Sequence, residues 1–581
     1  MKTETESFRN NLFMKSTWMI GGEAGFGIMT TGILMAKIAN RLGYSVFDYI
    51  EYPSLIRGGH NSYKLTLSDE KVYCLQENIN ILVCLNEETW KFHQTQLEDN
   101  AVVVFDSEIF KPQSSKKLQM LDIPTGKMLK ELNGQVVMKN TIALGASCAL
   151  LGINFQDVNM LLSETFEKKG KEVVDYNRQF AKRGYDYVID RYKALIQPVL
   201  SQNKNNKQLL LTGNEAFALG AVIGDCRFYA AYPMTPSSSV LTVLADWQRK
   251  TQMVVRHSED EIAVVSSALG ASFAGARSAV GSSGGGFALM VESLSFSGIA
   301  EIPLVVFLSQ RPGPATGMPT WTEQGDLLFA VNAGHGEFPK IVLAAGDIEE
   351  MIFLTAKAFN LAEIYQLPVI VMSDMYLSES HATITQSILD NIKNNYKVNR
   401  GKTIDFVNEG KYSRYQITED GISPRLIPGL KDYYYQANSY EHLQDGHTTE
   451  DSNERIAQVK KRTVKINTYL KNDFSTPLVY GNLERAKIVL VGWGSIKGIL
   501  LETQKQIPDC AVIHFNHVYP LDKEKVIKLF NQDKRYVLVE NNSTGQFGKL
   551  LQMEIGIEIK EKVLRYDGRP ITVKEVMVKV K

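Results

Sequence analysis

Short apolar runs in this chain end, again and again, in a loop of glycine, proline, serine or threonine that opens a segment of helical periodicity. Such runs are Thr17–Ile20, Ile79–Leu85 and Ala101–Phe105, then Arg227–Ala231, the stretch at Val254, Leu304–Leu308 and Val369–Met372, and finally Ile488–Val491, Ala511–Ile513 and Tyr536–Val539. A strand that repeatedly hands over to a helix predicts an α/β chain with parallel, doubly wound sheets. The polar stretch Ser201–Gln208 reads as a linker. The expected organisation is therefore an α/β domain over 1–195, a second over 209–395, an irregular connecting segment over 396–480 and a third α/β domain over 481–581. The connecting segment is polar and Tyr-rich, with one basic helical stretch at Glu454–Lys471.

Charge and cysteine content exclude several classes of function. Lys+Arg and Asp+Glu both number 64, so no net charge drives the chain toward nucleic acid or an anionic membrane. The five cysteines include no C-x-x-C pair, which argues against an iron–sulfur cluster or zinc site held by this chain alone. An odd, sparse count also argues against a disulfide framework. The segment Met1–Asn10 is polar, and the apolar runs Ala143–Leu151 and Pro303–Leu308 are too short to span a bilayer. The expectation is a cytoplasmic protein with no metal ligand of its own.

Six stretches carry chemistry. Gly21–Gly27, with Gly32 beyond, lets backbone N–H groups approach an anion at a helix start; it equally suits a tight turn without a ligand. It is neither a complete G-x-G-x-x-G, since Thr30 stands at the third glycine, nor a Walker loop. Arg57-Gly-Gly-His-Asn61 suits a close-approach loop or a surface turn. Tyr232-Pro-Met-Thr-Pro-Ser-Ser238 places hydroxyls where a strand yields to a helix, the usual ligand position in α/β folds. Its bland reading makes Thr235 an N-cap and Pro236 the first helical residue. In Arg256-His-Ser-Glu-Asp-Glu261, Ser258 and Glu261 have capping-box spacing; the alternative sets the Glu261 carboxylate against a ligand nitrogen. The helix that follows is rich in small residues, among them Ala268, Gly270 and Ala274, and would tolerate close approach of another helix. Gly281–Gly286 reads as a flexible turn, and Gln310–Thr320 as a rigid loop whose Arg311 is suited to clamp a carboxylate.

Taken in order, these stretches resemble the α subunit of 2-oxoacid:ferredoxin oxidoreductases with a γ domain fused at its N-terminus. Gly21–Gly27 and Glu51–Asn61 are similar to the γ domain's G-E-x-G-x-G and E-Y-P-S-x-I-R-G-G-H-N. Tyr232–Ser238, Glu259–Ala263, Gln310–Thr320, Glu323–Asp326, Gly334–Glu337, Val539–Gln546 and Asp567–Pro570 are similar to the family's later signatures. The resemblance implies a γ domain, a thiamine diphosphate pyrimidine-binding domain and a transketolase C-terminal-like domain. It implies that Glu261, rather than Glu259, meets the cofactor's pyrimidine nitrogen, and that Tyr232, Pro233 and Thr235 complete the cofactor wall. Thr235 would face the substrate, and Arg311 and Thr320 would hold the 2-oxoacid. Glu261, Thr235 and Arg311 are then the catalytic set. The implied reaction is oxidative decarboxylation of a 2-oxoacid to acyl-CoA and CO2, with 2-oxoglutarate expected before pyruvate or branched 2-oxoacids.

The family's diphosphate motif, G-D-G…N with Mg2+, has no counterpart here, and neither do cluster cysteines. Both Mg2+ and a [4Fe-4S] cluster are therefore expected on a β subunit, with ferredoxin as electron acceptor and coenzyme A as acyl acceptor. Departures from the pattern are Phe26 for Gln, Met234 for Ile, Gly285 for Pro and Ala315 for Ser. The competing expectation is a non-catalytic paralogue acting as a scaffold or regulatory subunit. Retention of Thr235, Glu261 and Arg311 speaks against it.

Overall fold

A computed structural model describes residues 15–53, 59–114, 116–196, 207–407, 410–530 and 533–581. Arg57 and Gly58 of the proposed close-approach loop, residues 1–14 and most of the linker lie outside the described residues. The chain forms two compact units, Met1–Leu211 with Ser380–Ser387, and Thr212–Glu379 with Ile388–Lys581.

The first unit is built on an eight-stranded sheet. Ser16–Glu23 lies at its centre, parallel to Ile79–Cys84, which is followed outward by Leu97–Phe105 and Gln119–Asp122. This half matches the doubly wound expectation. The other half does not: His60–Ser68 and Ser45–Glu51 pair antiparallel beside the central strand. The segment His381–Thr385 adds a further antiparallel strand next to Ser45–Glu51. That strand is fixed by Asp48, fully buried, which accepts from the His381 backbone N–H at 2.7 Å and also bonds Tyr63. The glycine turn begins a helix at Ile28, with Gly27 at positive φ as its cap. The Asn140 amide donates to the carbonyls of Phe26 (2.9 Å) and Gly27 (3.3 Å), so the turn is held from within.

The second unit contains a seven-stranded sheet in the order His517–Tyr519, Ile341–Ala344, Pro368–Asp374, Leu304–Gln310, Ser278–Ser282, Phe228–Ala231, Val254–His257. All strands but the edge strand His517–Tyr519 are parallel. Every residue of Leu304–Gln310 is buried, as expected for the central strand of a sheet covered on both faces. From Phe228–Ala231 the chain passes through the helix Ser238–Thr251 to the flanking strand Val254–His257; from Ser278–Ser282 it passes through Gly284–Ala300 to Leu304–Gln310 on the other side. The connections thus diverge between these two neighbours, which opens a crevice at their carboxyl ends. A five-stranded sheet follows, with Ile488–Trp493 between Cys510–Phe515 and Arg535–Glu540. Among the described residues no helix is long and apolar enough to cross a membrane.

Within 396–480 the described residues form the helix Ser452–Asn472, two short paired strands, an isolated bridge and the strand Leu478–Tyr480, which pairs with Cys510–Phe515. Lys461 and Lys465 of that helix each reach the buried Glu301 at 2.6 Å, one on each carboxylate oxygen. Arg414 donates to the Glu301 carbonyl at 2.8 Å. Burial pushes the Glu301 carboxyl upward, but these three cations outweigh it and hold the group well below the usual range. Glu301 ends the helix Gly284–Ala300, so this ion cluster fixes the far end of the helix whose start faces the crevice. Replacing Glu301 by Gln would leave two buried ammonium groups undercompensated, so it should destabilise the protein by about 3–5 kcal/mol. Denaturant unfolding of Glu301→Gln beside the wild type measures that loss.

Candidate functional site

Four strand ends border the crevice, and each leads directly into one of the chemistry-bearing stretches. Ala231 pairs with His257 on one side and Gly281 on the other, while Ser282 pairs with Leu308. The stretches therefore start at one level of the sheet. Their meeting point is the first turn of the helix Gly284–Ala300, which begins with three glycines. Gly281–Gly286 is thus a strand end and a helix start, where a flexible turn was the expectation.

Each of the three glycines faces a different wall. A Cβ at Gly284 would lie 2.5 Å from Asp326 Oδ2. At Gly285 the nearest atoms are Met234 Sδ at 3.9 Å and the Ala315 carbonyl at 4.0 Å. At Gly286 a Cβ would lie 2.1 Å from Ser282 Oγ and 2.3 Å from Glu261 Oε1. Real carbon atoms do not approach so closely, so the Glu261 carboxylate occupies space that exists only because residue 286 has no side chain.

Glu261 is the first residue of the helix Glu261–Phe273 and is buried. The expected capping box is not formed. Asp260 caps the helix instead, accepting from the Ala263 N–H at 2.8 Å. Asp combines a strong capping acceptor with a charge favourable to the helix dipole, and it stands one residue before Glu261, where the cap belongs. Ser258 Oγ is left buried without a partner, and so is Glu261 Oε1. A carboxylate oxygen in that state costs free energy unless a ligand supplies its partner.

Thr235 and Pro236 do not cap the next helix either. It starts at Ser238 with Ser237 at the cap, and the Ser237 hydroxyl turns back to the Met234 carbonyl at 2.8 Å. The carbonyl of Thr235 accepts from the Arg311 guanidinium at 2.8 Å, joining two of the stretches directly. Burial lowers the Arg311 pKa, and the charge of Asp326 opposes that. Tyr232 is 39% exposed and lies over His257, with Pro233 exposed beside it. Thr320 sits on the outgoing limb of the Arg311 loop, its hydroxyl buried and without a partner. Within that loop Gly317 has φ 54°, and a Cβ there would lie 1.8 Å from the Pro312 carbonyl, so the turn admits glycine alone.

Sequence reading missed the acids beyond this loop. Burial, reinforced by the charge of Asp326, pushes Glu323 up to about 7. Burial pushes Asp326 up to about 6, with Arg311 acting against it. The signal was present in Glu323-Gln-Gly-Asp326, but only the fold sets Asp326 against Gly284. Also unforeseen is the clamp behind these residues. Asn541 and Gln324 exchange backbone and side-chain bonds at 2.7 and 3.0 Å, Asn542 donates to the Gln324 carbonyl at 3.1 Å, and Gln546 donates to the Gly325 carbonyl at 2.6 Å. The motif Val539–Gln546 therefore fixes the segment that carries the two acids.

An unpartnered carboxylate at a helix start thus lies beside a strand-end hydroxyl wall and a clamped arginine. Comparison with known proteins supplies the family. A family model described as pyruvate flavodoxin/ferredoxin oxidoreductase, thiamine diphosphate-binding, matches residues 219–461, and one described as pyruvate ferredoxin/flavodoxin oxidoreductase matches 17–187. The chain thus contains a thiamine diphosphate-binding domain. It is 31% identical to the 2-oxoacid:ferredoxin oxidoreductase subunit alpha of Saccharolobus solfataricus over 98% of each chain. It is 32% identical to the 2-oxoglutarate synthase subunit KorA of Methanocaldococcus jannaschii over 57% of this chain and 88% of that one. Its fold is similar to that of the 2-oxoglutarate:ferredoxin oxidoreductase from Magnetococcus marinus, solved with 2-oxoglutarate, coenzyme A and succinyl-CoA bound (TM-score 0.90, 30% identity, 98% of this chain and 100% of that one). The chain belongs to the family of 2-oxoacid:ferredoxin oxidoreductase alpha subunits.

Gly286→Ala tests the central packing claim. The clash falls on the movable ends of Ser282 and Glu261, so the fold should survive with its melting temperature shifted by only a few degrees. The displaced carboxylate should cost about 10²-fold in thiamine-dependent turnover, measured beside Gly285→Ala, whose added methyl has room.

Proposed function

We propose that this chain is the pyrimidine-binding half of an enzyme that oxidatively decarboxylates a 2-oxoacid to acyl-CoA and CO2, passing electrons to ferredoxin through a second chain. The observation that carries this reading is Glu261 Oε1, buried and unpartnered at a helix start inside the crevice. That oxygen fits an aminopyrimidine nitrogen. Thiamine diphosphate, when bound, supplies the nucleophile and the electron sink. Glu261 would hold or share a proton at the pyrimidine nitrogen. Arg311, fixed by the Thr235 carbonyl, would clamp the substrate carboxylate, and Thr320 would hold its oxo end. Thr235, Tyr232 and Pro233 would wall the cofactor. Buried side chains around Gly284–Gly286 would keep water from the reacting atoms.

The second chain would bring the diphosphate and Mg2+ site and the [4Fe-4S] cluster. The lack of a G-D-G…N motif and of paired cysteines in this sequence supports that division. We take 2-oxoglutarate as the first substrate, on the strength of the relatives that act on it or bind it. The five cysteines are all buried and free, which supports a reducing, cytoplasmic setting.

The test is reconstitution with a partner chain that carries G-D-G…N and clustered cysteines, sought in the reading frames beside this one. Reduction of a low-potential acceptor is followed with 2-oxoglutarate, pyruvate and branched 2-oxoacids in turn. Turnover dependent on both chains, on thiamine diphosphate and on coenzyme A is expected; no 2-oxoacid-dependent reduction would sink the reading. In the active complex, Glu261→Gln should lower kcat by about 10²–10⁴-fold. Arg311→Ala should act mainly on KM, raising it at least tenfold, the scale of one lost charge-assisted pair.

A further inference from the structure

Among the described residues, two acids lie against the glycine turn, Glu261 and Asp326, and the proposed function gives a task only to Glu261. The backbone N–H of Asp326 is held by Gln310 Oε1 at 3.0 Å, at the end of the central strand. Its Oδ2 is buried and without a hydrogen-bond partner, and it lies against Gly284 at the start of the glycine helix. Arg311, which spends one N–H on Thr235, acts on it through space. Asp326 is thus placed beside the proposed substrate clamp with one oxygen free.

The charged and titratable groups around it are few. Arg311 comes from the loop after Leu304–Gln310, and Glu323 from its own segment. The strand end presents the neutral amide of Gln310, and the first turn of the glycine helix presents only glycine. Glu261 meets the same turn two residues further on. A second anion brought onto Arg311 would therefore face an acid on which, among the described residues, no other cation acts. It would also consume the positive charge that keeps Asp326 ionised.

We propose that Asp326 takes up a proton when the 2-oxoacid binds and, as the neutral acid, positions the substrate beside Arg311 by donating a hydrogen bond from its free oxygen. The proton comes from solvent and leaves again when the carboxylate departs as CO2. The proposal rests on the reading of Arg311 as the carboxylate clamp. Asp326 is a positioning residue here, so its signature lies in KM and not in kcat.

The sign of the pH effect follows from the free and bound states. With no substrate the group sits at about 6. A bound carboxylate raises it further, so the complex holds more protons than the free protein. Affinity should then be highest below about pH 6 and fall up to tenfold per pH unit above it, until the raised value is passed.

The measurement uses the reconstituted complex. Between about pH 6.5 and 8, the wild-type KM for the preferred 2-oxoacid should climb with pH while kcat changes far less. Asp326→Asn, which keeps the shape and a permanent donor, should show a low KM with no such slope. Asp326→Ser, which makes room and loses the reach, should show a KM raised at every pH. Calorimetry with oxamate and oxalylglycine, unreactive isosteres of pyruvate and 2-oxoglutarate, in buffers of different ionisation enthalpy should show proton uptake near pH 7 that vanishes in Asp326→Asn. A flat wild-type KM with no buffer-dependent heat overturns the proposal, and so does an Asp326→Asn enzyme that keeps the wild-type slope. Arg311→Ala separates the two ideas: an unchanged KM in that variant removes the clamp itself, whereas a raised KM with a wild-type slope in Asp326→Asn removes only the proton.

Discussion

The site depends on a place where no side chain is allowed. Three consecutive glycines at a helix start cost roughly 0.5–1 kcal/mol each relative to alanine, and helix propensity alone would select against them. They are accommodated because the volume a methyl would take at Gly284 and Gly286 is already filled by Asp326, Ser282 and Glu261. The helix backbone thereby comes within contact of two carboxylates contributed by separate segments. Its far end is locked by the Glu301 ion cluster, so the glycine turn is a fixed surface against which the other walls are set.

That arrangement explains which parts of the protein were legible in the sequence. The strand-to-loop-to-helix handovers of the second unit were visible because a parallel strand buried on both faces is a continuous apolar run, and the loop after it must break the pattern. The loops carrying Thr235 and Arg311 each follow such a run, whereas Glu261 follows the exposed edge strand Val254–His257 and was assigned to the pyrimidine only through the family resemblance. The antiparallel half of the first sheet was not visible. His381–Thr385 pairs with a strand more than three hundred residues earlier, and no local periodicity records a partner so distant. The caps were misassigned because Ser, Thr and Asp compete for one geometric role. Asp260 wins over Ser258 by two positions of register, and Ser237 closes its own turn. Asp326 was passed over because an acid in a loop is usually solvated, and only the fold brings it against Gly284.

The contrast with the protein's other buried carboxylates gives the site its meaning. Glu540 is fully buried, and it accepts from the backbone N–H groups of Phe547 and Gly548, from Asn542 and from Trp493. Asp374 accepts from Ser495, Thr322 and the Leu377 N–H. Glu363 is paired with Arg400 and Arg425. These acids are saturated, and each holds a loop or a helix in place. Glu261, buried, and Asp326, half-buried, lie at the same sheet's crevice, and each leaves a buried oxygen unsatisfied. An unpaired buried polar group costs on the order of 1–3 kcal/mol, so two such oxygens set against one helix turn are a local destabilisation that the rest of the fold must offset. Glu540, Asp374 and Glu363, which serve the fold, thus find their partners within the chain. Under the proposed function, the open oxygens of Glu261 and Asp326 mark the surface that a ligand completes, Glu261 on the side of the pyrimidine and Asp326 on the side of the substrate's carboxylate.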